Sequence, residues 1–170
     1  MENYIMLDGK KFEMEDSLVE LLRGVVKEEV EKEKEKSPFT RVSKGENFWY
    51  ISIVGTPYLG TDFGNKVDDG CYNTANYCMD KKLMEQRALH ETLNRLLWRF
   101  SEIHGGDVQW DGNNDHFYIV YNKINNEYLT RDCACTKAQG VIYFPSVKLA
   151  QEAIETIVKP FVAKHPDFVW

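Results

Sequence analysis

Hydrophobic positions along the chain switch between two periods. Three segments carry them at helical spacing. In the first, Leu18, Leu21, Leu22, Val25 and Val26 follow a capping-box pair, Ser17 and Glu20, and the stripe stops where Glu29 takes the next apolar position. In the second, residues 81–104, Leu89, Leu93, Leu96, Leu97, Phe100 and Ile103 form one stripe, with Asp80 as N-cap and Gly105-Gly106 as the stop. In the third, Ser146 caps a helix carrying Val147, Ala150, Ile154, Ile157 and Val158, which Pro160 ends or kinks. Short runs rich in aromatic and β-branched residues predict strands. Residues 4–7 and 10–12 form a hairpin through Asp8-Gly9. Further strands are expected at residues 48–54, 72–79, 116–121, 128–132 and 141–144, with Asn125-Asn126 as a turn. Gly55, Pro57, Gly60, Gly64 and Asp69-Gly70 punctuate an irregular stretch.

Strands gathered in hairpins with few helices between them predict an α+β fold. The expected architecture is an antiparallel sheet covered on one face by two helices, 81–104 and 146–159. A hairpin and a charged helix precede it. Residues 1–36 hold 11 acidic and 7 basic side chains, and 27–36 are nearly all Lys and Glu. They read as a semi-detached element ending at Ser37-Pro38, with the α+β body over 38–170. No internal repeat at solenoid periods is visible.

A chain of 170 residues is long enough to bury a core without staples. Its net charge of −6 argues against coating nucleic acid through bulk charge, though not against a local basic face. Residues 1–11 lack the apolar centre of a signal peptide, and no run approaches the length of a bilayer span. The expected location is cytoplasmic, with no membrane partner, and in that compartment disulfides are uncommon.

Candidate chemistry is sparse. Cys71 and Cys78, and Cys133 and Cys135, are spaced by seven and by two positions, neither a structural zinc pairing. No metal, cofactor or catalytic set is expected from them. An enzymatic reading would rest on these four thiols and His116. The segment Asp111-Gly112-Asn113-Asn114-Asp115 lacks the ligand series and closing Glu of a calcium loop. Residues 60–66 lack the spacing of a phosphate loop, and Val67 stands where Ser or Thr would hold magnesium. Two acidic loops, Asp62, Asp68, Asp69 and Asp107, Asp111, Asp115, would form a phosphate-like patch if they met; otherwise they are solvated turns.

The long helix is the most informative element. Opposite its leucine stripe, a helical wheel places Met84, Arg87, Glu91, Arg95, Trp98 and Glu102. Met, Arg and Trp are enriched at interface hot spots. Trp98 on such a face needs either a partner or a covering element, such as the N-terminal helix or the tail Phe168-Val169-Trp170. The helix is also locally basic, through Lys81, Lys82, Arg87, Arg95 and Arg99.

Three stretches carry a resemblance. They are residues 84–100, including Arg87, His90, Arg95 and Trp98; residues 141–146, ending Tyr143-Phe144-Pro145-Ser146 and followed by Ala150, Ala153 and Ile154; and the end of the chain from Lys159-Pro160-Phe161 to Trp170. Over residues 39–170 the chain resembles small proteins carried by phages, prophages and other mobile elements of gut Firmicutes. That group includes inhibitors of bacterial defence, notably anti-CRISPR proteins against the type II effector nuclease. The resemblance implies stoichiometric binding to a host ribonucleoprotein, the effector with its guide RNA, blocking target DNA binding or cleavage. It carries no catalytic residues across. Two other classes stay open: a mobile-element accessory protein binding DNA or RNA through the basic helix, and an enzyme acting on a defence factor or signal.

Overall fold

The computed structural model describes residues 4–8, 10–34, 37–106 and 110–170. The fold is α+β. At the N-terminal end, β1 (Tyr4–Leu7) pairs antiparallel with β2 (Lys10–Glu13), and Asp8 takes the positive φ of 48° that the turn requires. Helix α1 (Asp16–Lys34) follows. The Glu15 carbonyl receives its first bonds, from the Leu18 and Val19 amides, so Ser17 lies inside the first turn rather than at the cap. Leu18, Leu21, Leu22, Val25 and Val26 of α1 are all exposed.

The body uses one construction twice. In its first half, β3 (Asn47–Ile51) and β4 (Pro57–Thr61) form an antiparallel hairpin. The other side of β3 pairs at a single bridge, Trp49 with Cys78. Asp80 then caps α3 (Lys81–Ile103), its side chain accepting from the Leu83 amide. In the second half, β5 (His116–Asn122) and β6 (Glu127–Cys133) form the hairpin. Here β7 (Tyr143–Phe144) pairs with the other side of β5, Phe117 against Phe144. Ser146 then caps α4 (Val147–Ala153), accepting from the Leu149 amide. Matching positions do matching jobs. Tyr77 and Tyr143 each precede the cap by three residues, are buried, and take a backbone amide on the phenol oxygen, from Val42 and Ala138. Phe48 stacks on Tyr77, while His116 meets Tyr143 edge-on. Met84 and Ala150, four residues past each cap, are both buried.

Two apolar clusters follow from this doubling. Ile51, Cys78, Met84 and Ala88 join the first hairpin to the N-terminal third of α3. The larger cluster joins Leu93 and Leu97 of α3 to Phe144, Ala150, Ala153, Val158, Phe161 and Phe168. So α3 spans both halves: it packs on β3 and β4 at one end and on α4 and β7 further along. The three-stranded sheet β6-β5-β7 is backed mainly by α4.

Four local expectations are corrected. Residues 72–79 are not a strand. Helix α2 (Lys66–Asn73) occupies their start, set by a capping box in which Asn65 accepts from the Val67 and Asp68 amides and Asp68 accepts from the Asn65 amide. The strand expected over 48–54 ends at Ile51, because Ser52 and Thr56 close a turn there. The strand expected over 141–144 is only Tyr143–Phe144. The last helix does not end at Pro160. A π-helical turn (Ile154–Val158) intervenes, and α5 (Lys159–Lys164) carries on. Lys159 donates to the Ile154 carbonyl five residues back, and the Thr156 hydroxyl takes up the Glu152 carbonyl. The widened turn loosens the ladder just where proline supplies no N–H.

Candidate partner-binding face

The outer side of α3 is built by two elements. The β3–β4 turn lifts Ile53 and Val54 into solvent, Ile53 fully and Val54 at 78% exposure. Its return residue, Gly55, has a φ of +83°, and a Cβ there would sit 3.0 Å from Arg95 Nη2 and 3.5 Å from Thr92 Oγ1. The left-handed backbone is what calls for glycine here, since the Arg95 side-chain end could shift aside. Thr92, Arg95, Leu96 and Arg99 recur every three or four residues and share one face. With Trp98, Ile53 and Val54 they line a shallow depression. Trp98 is 57% exposed.

The tail does not cover Trp98. The tail is held elsewhere, because Gln86 donates to the Asp167 carbonyl at 2.7 Å and accepts from the Val169 amide at 2.9 Å. Phe168 packs beside His90 and Phe161, and Trp170 packs beside Tyr121 and Tyr128. Next to the depression, α3 and α5 form a longer cleft with apolar walls including Leu96, Phe100, Ile103 and Phe161. Arg99 and Lys164 line it, and among the described residues no acidic one does.

The four side chains expected on one helix face separate. Arg95 and Trp98 are both exposed. Met84 is buried at 1% exposure, because the first hairpin covers that end of α3. Arg87 is engaged internally: it donates to Glu91 Oε1 at 2.9 Å and to the Ala75 carbonyl, which ties α3 to the end of α2. Ile103, expected in the core stripe, is 72% exposed.

The acidic loops are also corrected. Asp62 and Asp68 are buried. Arg41 grips Asp62 with two guanidinium nitrogens, at 2.8 and 3.2 Å, and reaches Asp69 at 2.7 Å. Tyr77 Oη and the Gly64 amide also donate to Asp62. Asp68 accepts from the Phe63 amide at 2.8 Å. The Arg41 guanidinium holds the Asp62 carboxyl at about 2, below its ordinary 3.8, and burial pushes the Tyr77 phenol up to about 12. Asp62 and Asp68 are therefore internal braces rather than surface charges, and the half-exposed Asp69 is paired with Arg41. Asp111 and Asp115 are exposed, and Asp111 is held by the Asn113 amide and the Asn114 side chain. Asp107 lies outside the described residues.

All four cysteines are free thiols. Burial raises the Cys71 and Cys78 thiols above the ordinary range, which favours the protonated form. The β5–β6 register sets His116 opposite Cys133. Yet His116 is fully buried and stacked on Trp110 at 3.5 Å, and the Cys133 sulfur is engaged by the Thr136 backbone. Among the described residues no cluster of three His, Cys, Asp or Glu side chains could hold a metal, and no helix is long and apolar enough to cross a membrane.

The sequence missed Arg41, Ile53 and Val54. For Ile53 and Val54 a signal was present: two bulky apolar residues directly before Gly55-Thr56-Pro57 belong to a turn, not to a covered strand. Compared with known proteins, the chain matches no family model, and no curated protein or solved structure is significantly similar to it.

Proposed function

We propose that the chain is a stoichiometric binding protein that inhibits a type II CRISPR effector nuclease, using the outer face of α3 and the β3–β4 turn. One observation carries the binding part of this reading. Ile53, Val54 and Trp98 are exposed together beside Arg95 and Arg99, in a chain whose other large aromatic residues are mostly packed. Monomeric surfaces scatter such residues singly, and a cluster with arginine is the composition of an interface centre. The choice of target rests on the resemblance of residues 84–100, 141–146 and the C-terminal end to phage-borne inhibitors. Basic side chains beside the apolar ones suit a partner that presents both protein and nucleic acid, such as an effector loaded with guide RNA.

Titrating the protein into a target-cleavage reaction with assembled effector tests this. Loss of cleavage near one equivalent is expected, with Arg95→Ala/Trp98→Ala much weaker. Full cleavage at large excess across several effector orthologues overturns the choice of target. Arg95, Arg99 and Lys164 also favour a second reading, direct binding to DNA or RNA. That reading predicts affinity for nucleic acid alone that falls steeply as salt rises.

A further inference from the structure

The four thiols fall into two kinds. Cys78 is fully buried and Cys71 partly covered, and burial raises both, so both stay protonated near neutral pH. Cys133 and Cys135 stand apart, at the end of β6 with one residue between them. Cys133 is partly exposed and Cys135 exposed. Two residues of chain span at most about 7 Å when fully extended. The chain bends at Ala134 and Cys135, which shortens that span towards the about 4.4–6.8 Å between α-carbons that a disulfide bridges.

The Cys133 sulfur is also a fastener. Its S–H donates to the Thr136 carbonyl at 3.0 Å, and it accepts from the Thr136 amide at 3.3 Å. The segment that follows lies against the aromatic cluster of the second half. Lys137 Nζ sits 5.5 Å from the centre of the Trp110 ring, and the Ala138 amide donates to the Tyr143 hydroxyl at 2.9 Å. Trp110 in turn stacks on the buried His116, which is the ladder partner of Cys133. One thiol thus helps to hold a loop against the side of a buried histidine.

We propose that Cys133 and Cys135 form a redox modification site, in which oxidation by a low-molecular-weight disulfide joins the two sulfurs and releases the 134–138 loop from the aromatic cluster. With glutathione disulfide as oxidant the steps balance. Cys135, as thiolate, attacks one sulfur of the oxidant, forming a mixed disulfide and expelling one glutathione thiolate. Cys133 gives its proton to solvent, attacks the Cys135 sulfur and displaces the second glutathione. Two protein thiols are oxidised, and one disulfide is reduced to two thiols. Cys133 then has no S–H to donate and its sulfur faces Cys135, so Thr136 loses both bonds. A bridge across a single intervening residue is strained and open to solvent, the kind that reduces readily, so the step reverses. Nothing in this chemistry involves the effector, and its test contains none.

The full chain is incubated with excess oxidised glutathione, quenched with acid and digested with trypsin. Cleavage after Arg131 and Lys137 leaves both thiols on one peptide, residues 132–137. That peptide should lose the mass of two hydrogens and regain it in excess reduced glutathione, while Cys71 and Cys78 stay reduced. Cys133→Ser should stop at a glutathione adduct on Cys135. In the oxidised chain, hydrogen exchange at the Thr136 and Ala138 amides, read by NMR, should rise about fivefold or more. Cys135→Ser changes an exposed side chain, so it should fold with unchanged circular dichroism and lose both the bridge and the exchange response. An unmodified peptide, two glutathione adducts without a bridge, or a bridge to Cys71 or Cys78 overturns the site. A bridge that leaves exchange at Thr136 and Ala138 unchanged overturns the release of the loop.

Discussion

Asp62 shows how far one residue's environment can change its meaning. In sequence it is an acid in a glycine-rich loop; in the fold it is a buried anion braced by Arg41, Tyr77 and Gly64. Its carboxyl sits at about 2 in the folded protein against an ordinary 3.8. A lowered folded value means that the stabilising contribution is complete above about pH 4 and is lost as pH falls towards 2. Thermal melting of the protein should therefore decline across that acid window, and Arg41→Ala should flatten the decline. Parallel curves for the two proteins would contradict this assignment. Tyr77→Phe removes a phenol that donates to Asp62 and accepts from Val42. It should lower stability by about 1–2 kcal/mol in chemical denaturation, the scale of two lost hydrogen bonds. The sequence held no sign of this brace, because Arg41 and Asp62 are brought together only by tertiary folding. Met84 failed for a related reason. A helical wheel assumes one direction of burial, whereas α3 buries its first third against the β3–β4 hairpin and the rest against α4, the π turn and α5.

Among elements, the long periodic helices were legible and the short ones were not. The bounds of α3 follow its cap and its closing glycines closely, since those signals act over one turn. Helix α2 was hidden because its capping box uses Asn65 and Asp68 in place of Ser or Thr with Glu, amid glycines that suggest a loop. The π turn was hidden because proline usually stops a helix, and only the fold shows that one extra residue per turn carries α4 on into α5. The π turn absorbs one extra residue by widening, so Phe161 beyond it keeps the phase that buries it in the larger cluster. Deleting Thr156 should return the segment to a regular α-helix with α5 close to its present direction, and should cost far less than the about 3–5 kcal/mol of truncating Phe161. Pro160→Ala should be nearly neutral by the same denaturation assay, because the ladder is already adjusted to a missing donor. A large loss from either change would refute this view of the turn.

For the whole molecule, the doubled hairpin–strand–helix plan explains why α3 has an outer face. Its two ends serve two halves, so one side of its length remains uncovered between the β3–β4 turn and α5. The fold class was legible from strand clustering and helix spacing. The doubling was not, since Tyr77 with Asp80 and Tyr143 with Ser146 share too few identities to register as a repeat. At the candidate site, Arg95 and Trp98 could be read from the wheel, whereas Ile53 and Val54 join them only through the turn at Gly55. The central claim is that this face binds the effector. The most direct measurement is the affinity of guide-loaded type II effector for the protein and for Trp98→Ala, with melting temperature recorded alongside. The account predicts unchanged melting and a loss of at least about 2 kcal/mol, roughly thirtyfold, as for a central interface aromatic. Equal affinity for both proteins, or no binding by either, would contradict it.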